Sequence, residues 1–436
     1  MGIQSMSAYF IFIYKVMYML KIVYPICCGI DVHKKFVVAT IATTDKNNVT
    51  TYLTKQFNTY TRDLQKLKEW LFFHDCKEVC MESTGKYWIP VHNILEESCK
   101  ITLANPKYIK GIPGKKTDKR DSIWIADLHK HGLVRGSFIP PKKIRELRDL
   151  MRYRFKLTNV RSSEKNRFQN SLTVSNIMIS NVVSDTFGKS ASAIIKYAME
   201  NPDKTDIDFT QFLHKSMLAK ADEINLSMQG SISKEQSAKM SVCLKHHDYV
   251  NACISQLDTA ISLISSEFKP QIELIATAPG ITEKSAISII SEIGVDMSVF
   301  QDAKHLCSWA GLTPQNNESA GKKKSVRISR AGVYLKPLLV QCANAAIKDK
   351  SCPYFKHRYE SIKKRRGHKR AIIAIARMLL VCVYNILSKN ECFNFSLYED
   401  YLSRDTKSQT NISKMILFLQ SQGFVISQIT QDKSSP

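Results

Sequence analysis

The stretch ICCGIDVHKKFVVATIATTDKNNVTTYLTKQF, residues 26–57, decides the fold. In its first segment apolar side chains alternate with Cys27, Gly29 and Asp31, which is the period of a half-buried strand. A β-branched run follows at 36–42, and turn residues at 45–48 lead into a third apolar segment at 49–57. Three consecutive strands joined by short turns predict a β-meander.

Downstream of the meander, helical and strand patterns alternate. Leucines at 64, 67 and 71 mark a helix, residues 78–82 a short strand, 89–99 a helix and 101–105 a further strand. A last helix is predicted from Asp118 to His131, ending before Gly132. The order βββαβαβα predicts an α/β RNase H-like domain over residues 25–138.

Beyond Pro140 and Pro141 the pattern becomes helical. Apolar residues recur at helical spacing over 142–172, and their helix also carries a row of arginines: Arg145, Arg148 and Arg152. A polar, weakly patterned segment occupies 173–245, after which helical periodicity returns at 254–264. We therefore expect a helical or coiled-coil arm over 139–270 whose arginine row faces phosphates. The alternative is an ordinary solvated face.

A compact, mainly α-helical domain is expected over 271–392, followed by an uninformative tail at 393–436. The turn Ala278-Pro279-Gly280-Ile281-Thr282 resembles a helix-hairpin-helix, whose backbone N–H groups contact phosphate; an ordinary helix turn is the alternative. Residues 322–370 carry sixteen Lys and Arg against two acids. From this region we expect nucleic-acid contacts at Lys322, Lys323, Lys324, Arg327, Arg330, Lys363, Lys364, Arg365 and Arg366.

Charge indicates the kind of partner. The 436 residues include 63 Lys and Arg against 39 Asp and Glu, a net charge of +24, which favours nucleic acid as the partner. Twelve cysteines occur without a C-x-x-C pair, which favours reduced, buried thiols in a cytoplasmic protein without zinc. Lys15 and Lys21 interrupt the apolar N-terminus, so residues 1–24 are expected to be a non-native or disordered extension, not a membrane anchor.

Four acids occupy positions where carboxylates are informative. Asp31 lies within a strand, Glu82 ends another, and Asp118 and Asp121 share one face at the start of a helix. Two strands and one helix could bring these four carboxylates together on two Mg²⁺ ions, which prefer oxygen ligands. Alternatively, the helical pair could only complement the helix dipole, and Glu82 could be an exposed strand end.

Several motifs carry a family resemblance. In the N-terminal half they are GIDVHK (29–34), MESTGKYW (81–88), Asn105-Pro106 and KTDKRD (116–121). In the C-terminal half they are PGI (279–281), AGLTP (310–314), SAG (319–321) and RISRAG (327–332). Together these resemble the DEDD transposases of insertion-sequence family one-ten, whose catalytic domain is RuvC-like, that is, similar to the Holliday-junction resolvase.

The resemblance implies a composite active site. The four acids would hold magnesium while a serine of the C-terminal domain attacks DNA and forms a phosphoserine link; this serine matches Ser319 best. Ala320 separates it from Gly321, where many relatives have serine directly before glycine, so Ser325 and Ser329 stay open. Ser319 is preferred because Ser329 falls in a segment with a helical pattern, and His33 is interpreted as a strand-end residue. The resemblance also implies guidance by a structured bridge RNA and a homo-oligomer, a dimer or a tetramer.

Two other functions fit the same residues. A hydrolytic RNase H-like nuclease, such as a junction resolvase, would use the acids with water as the nucleophile and would not need Ser319. A non-catalytic DNA-binding protein would have structural acids and no dependence on metal. A requirement for the serine would distinguish the transposase from the nuclease. Dependence on a metal ion would distinguish both enzymes from the binding protein.

Overall fold

The computed structural model describes residues 20–83, 85–109, 117–201, 207–314, 317–319, 322–325, 327–396 and 415–424. Two compact units divide between Ile139 and Pro140. Each unit has its own hydrophobic core.

A five-stranded sheet forms the centre of the first unit. Its strands are β1 (Ile26–Val32), β2 (Phe36–Thr44), β3 (Thr50–Asn58), β4 (Glu78–Glu82) and β5 (Lys100–Ala104). The strand order is β3-β2-β1-β4-β5, with the first three strands antiparallel and β4 and β5 parallel to β1. The predicted meander is confirmed, and this mixed sheet is consistent with an RNase H-like fold.

Helices cover one face of the sheet with an apolar core. The first unit contains α1 (Thr61–Phe73), α2 (Trp88–Leu95), α3 (Pro106–Ile109) and α4 (Asp118–Lys130). Cys28, Ile30 and Val32 of β1 are buried with Leu64 and Leu67 of α1, as the strand and helix periods predict. The predicted helix 89–99 ends earlier, at Leu95, because the N–H groups of Ser98 and Cys99 turn back to the Leu95 carbonyl before the chain enters β5.

Helix α4 packs on the other face of the sheet, and its backbone lies unusually close to that of β1. Gly29 makes this possible: a Cβ on it would lie 2.3 Å from both the Ala126 nitrogen and the Ser122 carbonyl oxygen. Strand and helix backbones therefore touch with no side chain between them. Beside this contact, the hydroxyl groups of Thr40 on β2 and Ser122 on α4 lie 2.7 Å apart. Gly29 thus sets the depth at which α4 lies on the sheet.

The predicted N-terminal extension lies mostly outside the described residues, which begin at Leu20. Its last two residues belong to the folded unit. The N–H groups of Val23 and Tyr24 donate to the Lys130 carbonyl at 2.8 and 3.1 Å, and the Tyr24 ring stacks on His129 with ring centroids 4.6 Å apart.

Among its described residues the second unit is almost entirely helical. Its helices are α5 (Lys142–Val174), α6 (Lys189–Glu200), α7 (Ala221–Ser227), α8 (Lys234–Ser265), α9 (Lys269–Ala276), α10 (Glu283–Ile293), α11 (Ala303–Trp309), α12 (Leu335–Ala346), α13 (Pro353–Arg366) and α14 (His368–Lys389). Short 3₁₀ turns occur at Ile179–Asn181, Phe209–Phe212, Lys215–Lys220, Ser266–Phe268 and Met297–Val299. A small antiparallel hairpin joins β6 (Asn317–Ser319) and β7 (Lys322–Ser325).

The two long helices, α5 and α8, form an antiparallel pair. Lys143 binds Glu267 at one end at 2.9 Å, and Glu164 lies 2.9 Å from His246 near the other. Between these two contacts Arg154 forms an ion pair with Asp258. Residue numbers rise along α5 as they fall along α8, so the helices run in opposite directions. Because these middle contacts are polar, the continuous apolar seam of a coiled coil is not confirmed.

The segment predicted to be polar and weakly patterned contains a second apolar core, which corrects that interpretation. Near the end of α5 and the start of α8, Phe168 and Met240 are buried against apolar residues of the intervening segment: Ile177, Ile179, Ala191, Ile194, Ile195, Phe209, Ile224, Met228 and Ile232. We call this group the arm-end cluster. Its residues come from several short helices, so they share no single period along the sequence. The segment also closes on itself, since the Ser231 N–H donates to the Ser175 carbonyl at 3.1 Å.

Helices α9, α11, α12 and α13 pack around α14. Ile375, Leu379 and Val383 of this helix are fully buried. Within the described part of the chain, α14 is the one helix whose length and composition would suit a membrane span, and half of its apolar window is buried inside the protein, as in the core helix of a globular domain.

The turn predicted as a helix-hairpin-helix joins α9 to α10. Gly280 has a φ of +74°, and a Cβ on it would meet the backbone of α12, 2.4 Å from the Cys342 carbonyl oxygen. This glycine therefore has a packing role. Phosphate contact at the turn is not confirmed and stays a prediction.

We expect Gly29→Ala to lower the free energy of unfolding by about 2–3 kcal/mol, because the added methyl group has to push α4 off the sheet. Gly136→Ala is the matched control, since a Cβ there would meet only the Thr102 methyl group at an ordinary 3.4 Å. Thermal and urea unfolding of the two variants measure the difference. Equal stabilities would show that α4 does not depend on the missing side chain.

Candidate functional site

Asp31 is the most buried of the four predicted acids. It lies near the end of β1, paired with Val38 of β2, and is 8% exposed. It belongs to the same alternating set as Cys27 and Gly29, so its carboxylate is on the side of the sheet that carries α4. The His33 imidazole, two residues further along, reaches back so that Nε2 is 3.0 Å from Asp31 Oδ2.

The first turn of α4 supplies the two helical acids. Thr117 caps the helix by accepting a hydrogen bond from the Arg120 N–H at 3.3 Å, which fixes where the helix begins. Asp118 is the first helical residue, and Asp121 follows one turn later. Asp118 Oδ1 lies 3.4 Å from His33 Nε2, so the helix start and the strand end meet at this imidazole.

Asp31, His33 and Asp118 form a compact donor group. One ligand atom from each lies within 4.8 Å of the other two. Carboxylate oxygens together with an imidazole nitrogen are ligands that a divalent transition-metal ion accepts, and a hard ion such as Mg²⁺ would use the oxygens. The donor set therefore fits a divalent cation.

Glu82 is brought beside Asp31 by the register of the parallel strands. Gly29 pairs with Cys80 and Ile30 with Met81, so Asp31 and Glu82 are the next residues on neighbouring strands and on the same face of the sheet. The Glu82 side chain is half-buried. It is not part of the compact donor group, which among the described residues consists of Asp31, His33 and Asp118.

Electrostatics at Asp31 also fit a cation. Burial is the largest cause of the raised pKa of this carboxyl, and the negative charges of Asp121 and Asp118 raise the pKa further. The nearby His33 opposes both effects. Asp31 therefore feels both helical acids, and a bound cation would offset their mutual repulsion.

His33 is the functional candidate that the sequence interpretation missed. It does follow the end of β1, as expected of a strand-end residue, but its ring lies between two of the acids. The available signal was the spacing Asp-x-His, because residues two apart in extended chain point to the same side.

For Ser319, the predicted nucleophile, the structure describes only the backbone. Ser319 ends β6 and pairs with Lys322, the first residue of β7. The side chains of Ser319 and of Lys322, Lys323 and Lys324 lie outside the described part of the structure. Ser329 lies in irregular backbone and not in a helix. The predicted helical segment, for which Ser319 was preferred over Ser329, is therefore wrong. The Ser329 hydroxyl accepts a hydrogen bond from the Ala331 N–H at 3.2 Å.

Two arginines of the predicted basic row are engaged inside the second unit. Arg148 donates to the backbone carbonyls of Ser291 and Glu292 at 2.9 and 2.6 Å. Arg152 makes a two-pronged ion pair with the Glu292 carboxylate at 2.7 and 2.8 Å and lies over the Tyr334 ring. A free cationic row at these positions is therefore wrong, because both guanidinium groups hold α5 against α10. We withdraw both from the nucleic-acid set.

Other predicted contact residues are at the surface. Arg145 donates to the Pro140 carbonyl at 3.1 Å. Arg327 and Arg330 are exposed, and four cations form the last turn of α13: Lys363, Lys364, Arg365 and Arg366. Cations at the end of a helix also complement its dipole, so their place alone does not assign them to DNA.

Comparisons with known proteins agree with these motifs. A transposase family model of the DEDD, IS110 type matches residues 28–177, and the model described as "Transposase IS116/IS110/IS902 family" matches residues 272–360. Together they match more than half of the chain. The pilin gene-inverting proteins of Moraxella bovis and Moraxella lacunata are each 34% identical over 157 residues, which is 34% of this chain and 47% of the relative. The chain thus spans about half the length of these curated relatives.

We expect Asp31→Asn to weaken binding of Mn²⁺, used as a spectroscopic stand-in for Mg²⁺, by more than tenfold, because the variant removes the charge of the central carboxylate. Asp45→Asn is the control, since Asp45 belongs to an exposed turn of the same unit and only accepts backbone hydrogen bonds. Titration calorimetry and electron paramagnetic resonance measure the affinity. Equal Mn²⁺ binding by the two variants would exclude Asp31 as a metal ligand.

Proposed function

This chain belongs to the IS116/IS110/IS902 family of transposases, and we propose that it is a DNA recombinase that cleaves and rejoins strands for a mobile element. One observation carries the proposal: the carboxylates of Asp31 and Asp118 approach a single imidazole at the carboxyl end of β1, the central strand. Acids gathered in this way suit a metal-dependent reaction on a phosphodiester.

The family implies dependence on a divalent metal, and we propose two Mg²⁺ ions. Asp31, Glu82, Asp118 and Asp121 would hold them through oxygen. When bound, such ions supply positive charge to the phosphate and lower the pKa of an attacking hydroxyl group. His33 positions the site, since its ring contacts both Asp31 and Asp118 and limits how far the two carboxylates can separate.

Ser319 is proposed as the nucleophile. Its Oγ attacks phosphorus and forms an O–P bond, while the bond from phosphorus to one deoxyribose oxygen breaks. That oxygen takes up a proton and leaves as a hydroxyl group, and the serine proton is lost to solvent. A hydroxyl group of another strand can later attack the phosphoserine and release the enzyme. Because each broken P–O bond is replaced by another, strands are resealed without ATP.

The name of the relatives supports recombination over hydrolysis. A pilin gene-inverting protein is named for inverting a gene, and inversion requires that cut strands be rejoined. Water as the nucleophile would leave the ends cut. For this chain we accordingly prefer covalent catalysis to a hydrolytic nuclease.

Nucleic-acid partners follow from the same proposal. Double-stranded DNA at the element ends and at the target would contact the exposed Arg327 and Arg330 and the half-buried Arg145. A structured bridge RNA would select both DNAs by base pairing, with the protein holding the RNA by its shape and backbone. A homo-oligomer, either a dimer or a tetramer, would bring two DNA partners together.

We expect stalled reactions of the wild-type protein to contain protein joined covalently to a DNA end, and Ser319→Ala to abolish both this adduct and recombination. Denaturing gels with labelled DNA detect the adduct, and circular dichroism checks the fold. A hydrolytic nuclease would keep cutting after the substitution, because water would still be available.

Ser325→Ala and Ser329→Ala are the controls for the choice of serine. If the adduct persists in Ser319→Ala and disappears in one of these, the nucleophile is that serine and our choice of Ser319 is wrong. If no protein, including the wild type, forms an adduct on a cognate substrate, the serine mechanism fails.

We expect replacement of Lys322, Lys323 and Lys324 by Gln to reduce the salt dependence of DNA affinity. Each lost phosphate contact should lower the slope of log affinity against log salt by about one unit. Fluorescence anisotropy at several salt concentrations measures the slope, with the exposed Lys46→Gln as a single-charge control from another part of the chain. An unchanged slope would assign the three lysines to a solvated hairpin.

A further inference from the structure

The second unit has a groove lined by basic and apolar side chains. It lies between α13 and α14 and has a volume of about 1140 Å³. Its third wall comes from Leu312 and Pro314, which follow α11, and from Arg327 and Ile328. We call it the arginine groove. It exceeds the roughly 300–1000 Å³ of a small-molecule site, so it suits a segment of a larger ligand.

The walls of the arginine groove are strongly cationic. Arg358 and Arg366 come from α13, and Lys369, Arg370 and Arg377 from α14. None of these five forms an ion pair with a carboxylate among the described residues. The Nε of Arg358 is buried and has no hydrogen-bond partner within the described ranges. Leaving a buried guanidinium N–H unpaired is costly, so this atom points to an anionic ligand.

Apolar side chains line the same groove between the cations. On α13 Ile362 lies between Arg358 and Arg366 at steps of four residues, and on α14 Ile373 lies between Arg370 and Arg377. Residues three and four apart share a helix face, so each helix presents alternating basic and apolar groups to the groove. Met378 and Val381 extend the apolar surface.

This combination fits an unpaired strand better than a duplex. A double helix presents phosphates and keeps its bases stacked inside, so an apolar surface would find no partner. An unpaired strand offers both phosphates to the cations and the faces of its bases to the apolar side chains. The alternation of the two residue types along both helices matches the alternation of phosphate and base along a strand.

The groove lies close in the chain to the proposed nucleophile. An antiparallel bridge between Pro314 and Ile328, both lining the groove, closes the base of the segment that carries Ser319. Ser319 is five residues from Pro314, so the two Cα atoms can be at most about 18 Å apart. That distance corresponds to a few nucleotides of an extended strand.

We propose that the arginine groove holds a few unpaired nucleotides of the DNA strand beside the phosphate that Ser319 attacks. The proposal rests on the function proposed above, in that the chain acts on DNA, and adds which strand state is bound and where. Arg358, Arg370 and Arg377 are its main phosphate ligands. Arg358 and Arg370 belong to the basic stretch at 322–370, and Arg377 lies beyond it.

The test compares the full-length protein with a triple variant, Arg358→Gln, Arg370→Gln and Arg377→Gln. Lys304→Gln, on α11 and away from the groove lining, is the control. Binding of a fluorescent twelve-nucleotide oligo-dT and of a twelve-base-pair duplex is measured by anisotropy. We expect the triple variant to lose at least tenfold in oligo-dT affinity and about two units of salt slope, with less than threefold loss for the duplex. Circular dichroism confirms that the variant folds.

Three outcomes would overturn the proposal. They are equal losses for oligo-dT and duplex, a larger loss for oligo-rU than for oligo-dT, or photo-crosslinks from 5-iodouracil DNA that map outside both walls of the groove, residues 312–328 and 354–385. Repeating the binding assay with Ser319→Ala distinguishes the groove proposal from the serine mechanism. Unchanged oligo-dT binding there, together with a failed adduct assay, would reject the serine mechanism and leave the groove in place.

Discussion

The contact between Gly29 and α4 is the constraint on which the acidic site depends. Any side chain at this position would collide with backbone atoms of Ser122 and Ala126, so the helix can lie on the sheet only because the residue is glycine. Asp31 follows two residues after Gly29 on β1, and Asp118 lies one turn before Ser122 on α4. The depth of the helix on the strand therefore determines how closely strand and helix carboxylates approach. Gly29 takes no part in the chemistry, but it controls how close the carboxylates of Asp31 and Asp118 lie to each other.

Much of the first unit was predictable, because its periods are strong and local. The alternation in β1 indicated both the strand and the face on which Asp31 lies, and the helix that contains Asp118 and Asp121 was predicted to begin at Asp118, as α4 does. The spacing Asp-x-His indicated the contact of His33 with Asp31, but its contact with Asp118 depends on where a distant helix begins, which spacing along one strand does not reveal. The arm-end cluster was missed for a related reason: its apolar residues are divided among short helices, and only their assembly in space forms a core.

Cationic residues illustrate the same limit in the second unit. Arg148 and Arg152 look like part of a phosphate-binding row, yet their partner, Glu292, is 140 residues away from Arg152 and is invisible to a local pattern. The arginine groove shows the same limit. Several of its cations fall inside the basic stretch of the sequence, but which of them line a groove together with apolar side chains is evident only when α13 and α14 lie side by side. Density of charge in the sequence and accessibility of charge in the fold are separate properties.

The segment between α5 and α8, which carries most of the arm-end cluster, is closed at its base, and this affects how its length can change. Because Ser175 and Ser231 are hydrogen-bonded to each other, the chain leaves α5 and re-enters α8 at nearly the same point. A segment whose ends already meet can be exchanged for a longer or shorter one with little change in loop-closure entropy, and without altering the register of the two long helices. The first family model ends at residue 177 and the second begins at 272, so both lie almost wholly outside this closed segment. The segment can therefore change in length while α5 and α8 keep their pairing.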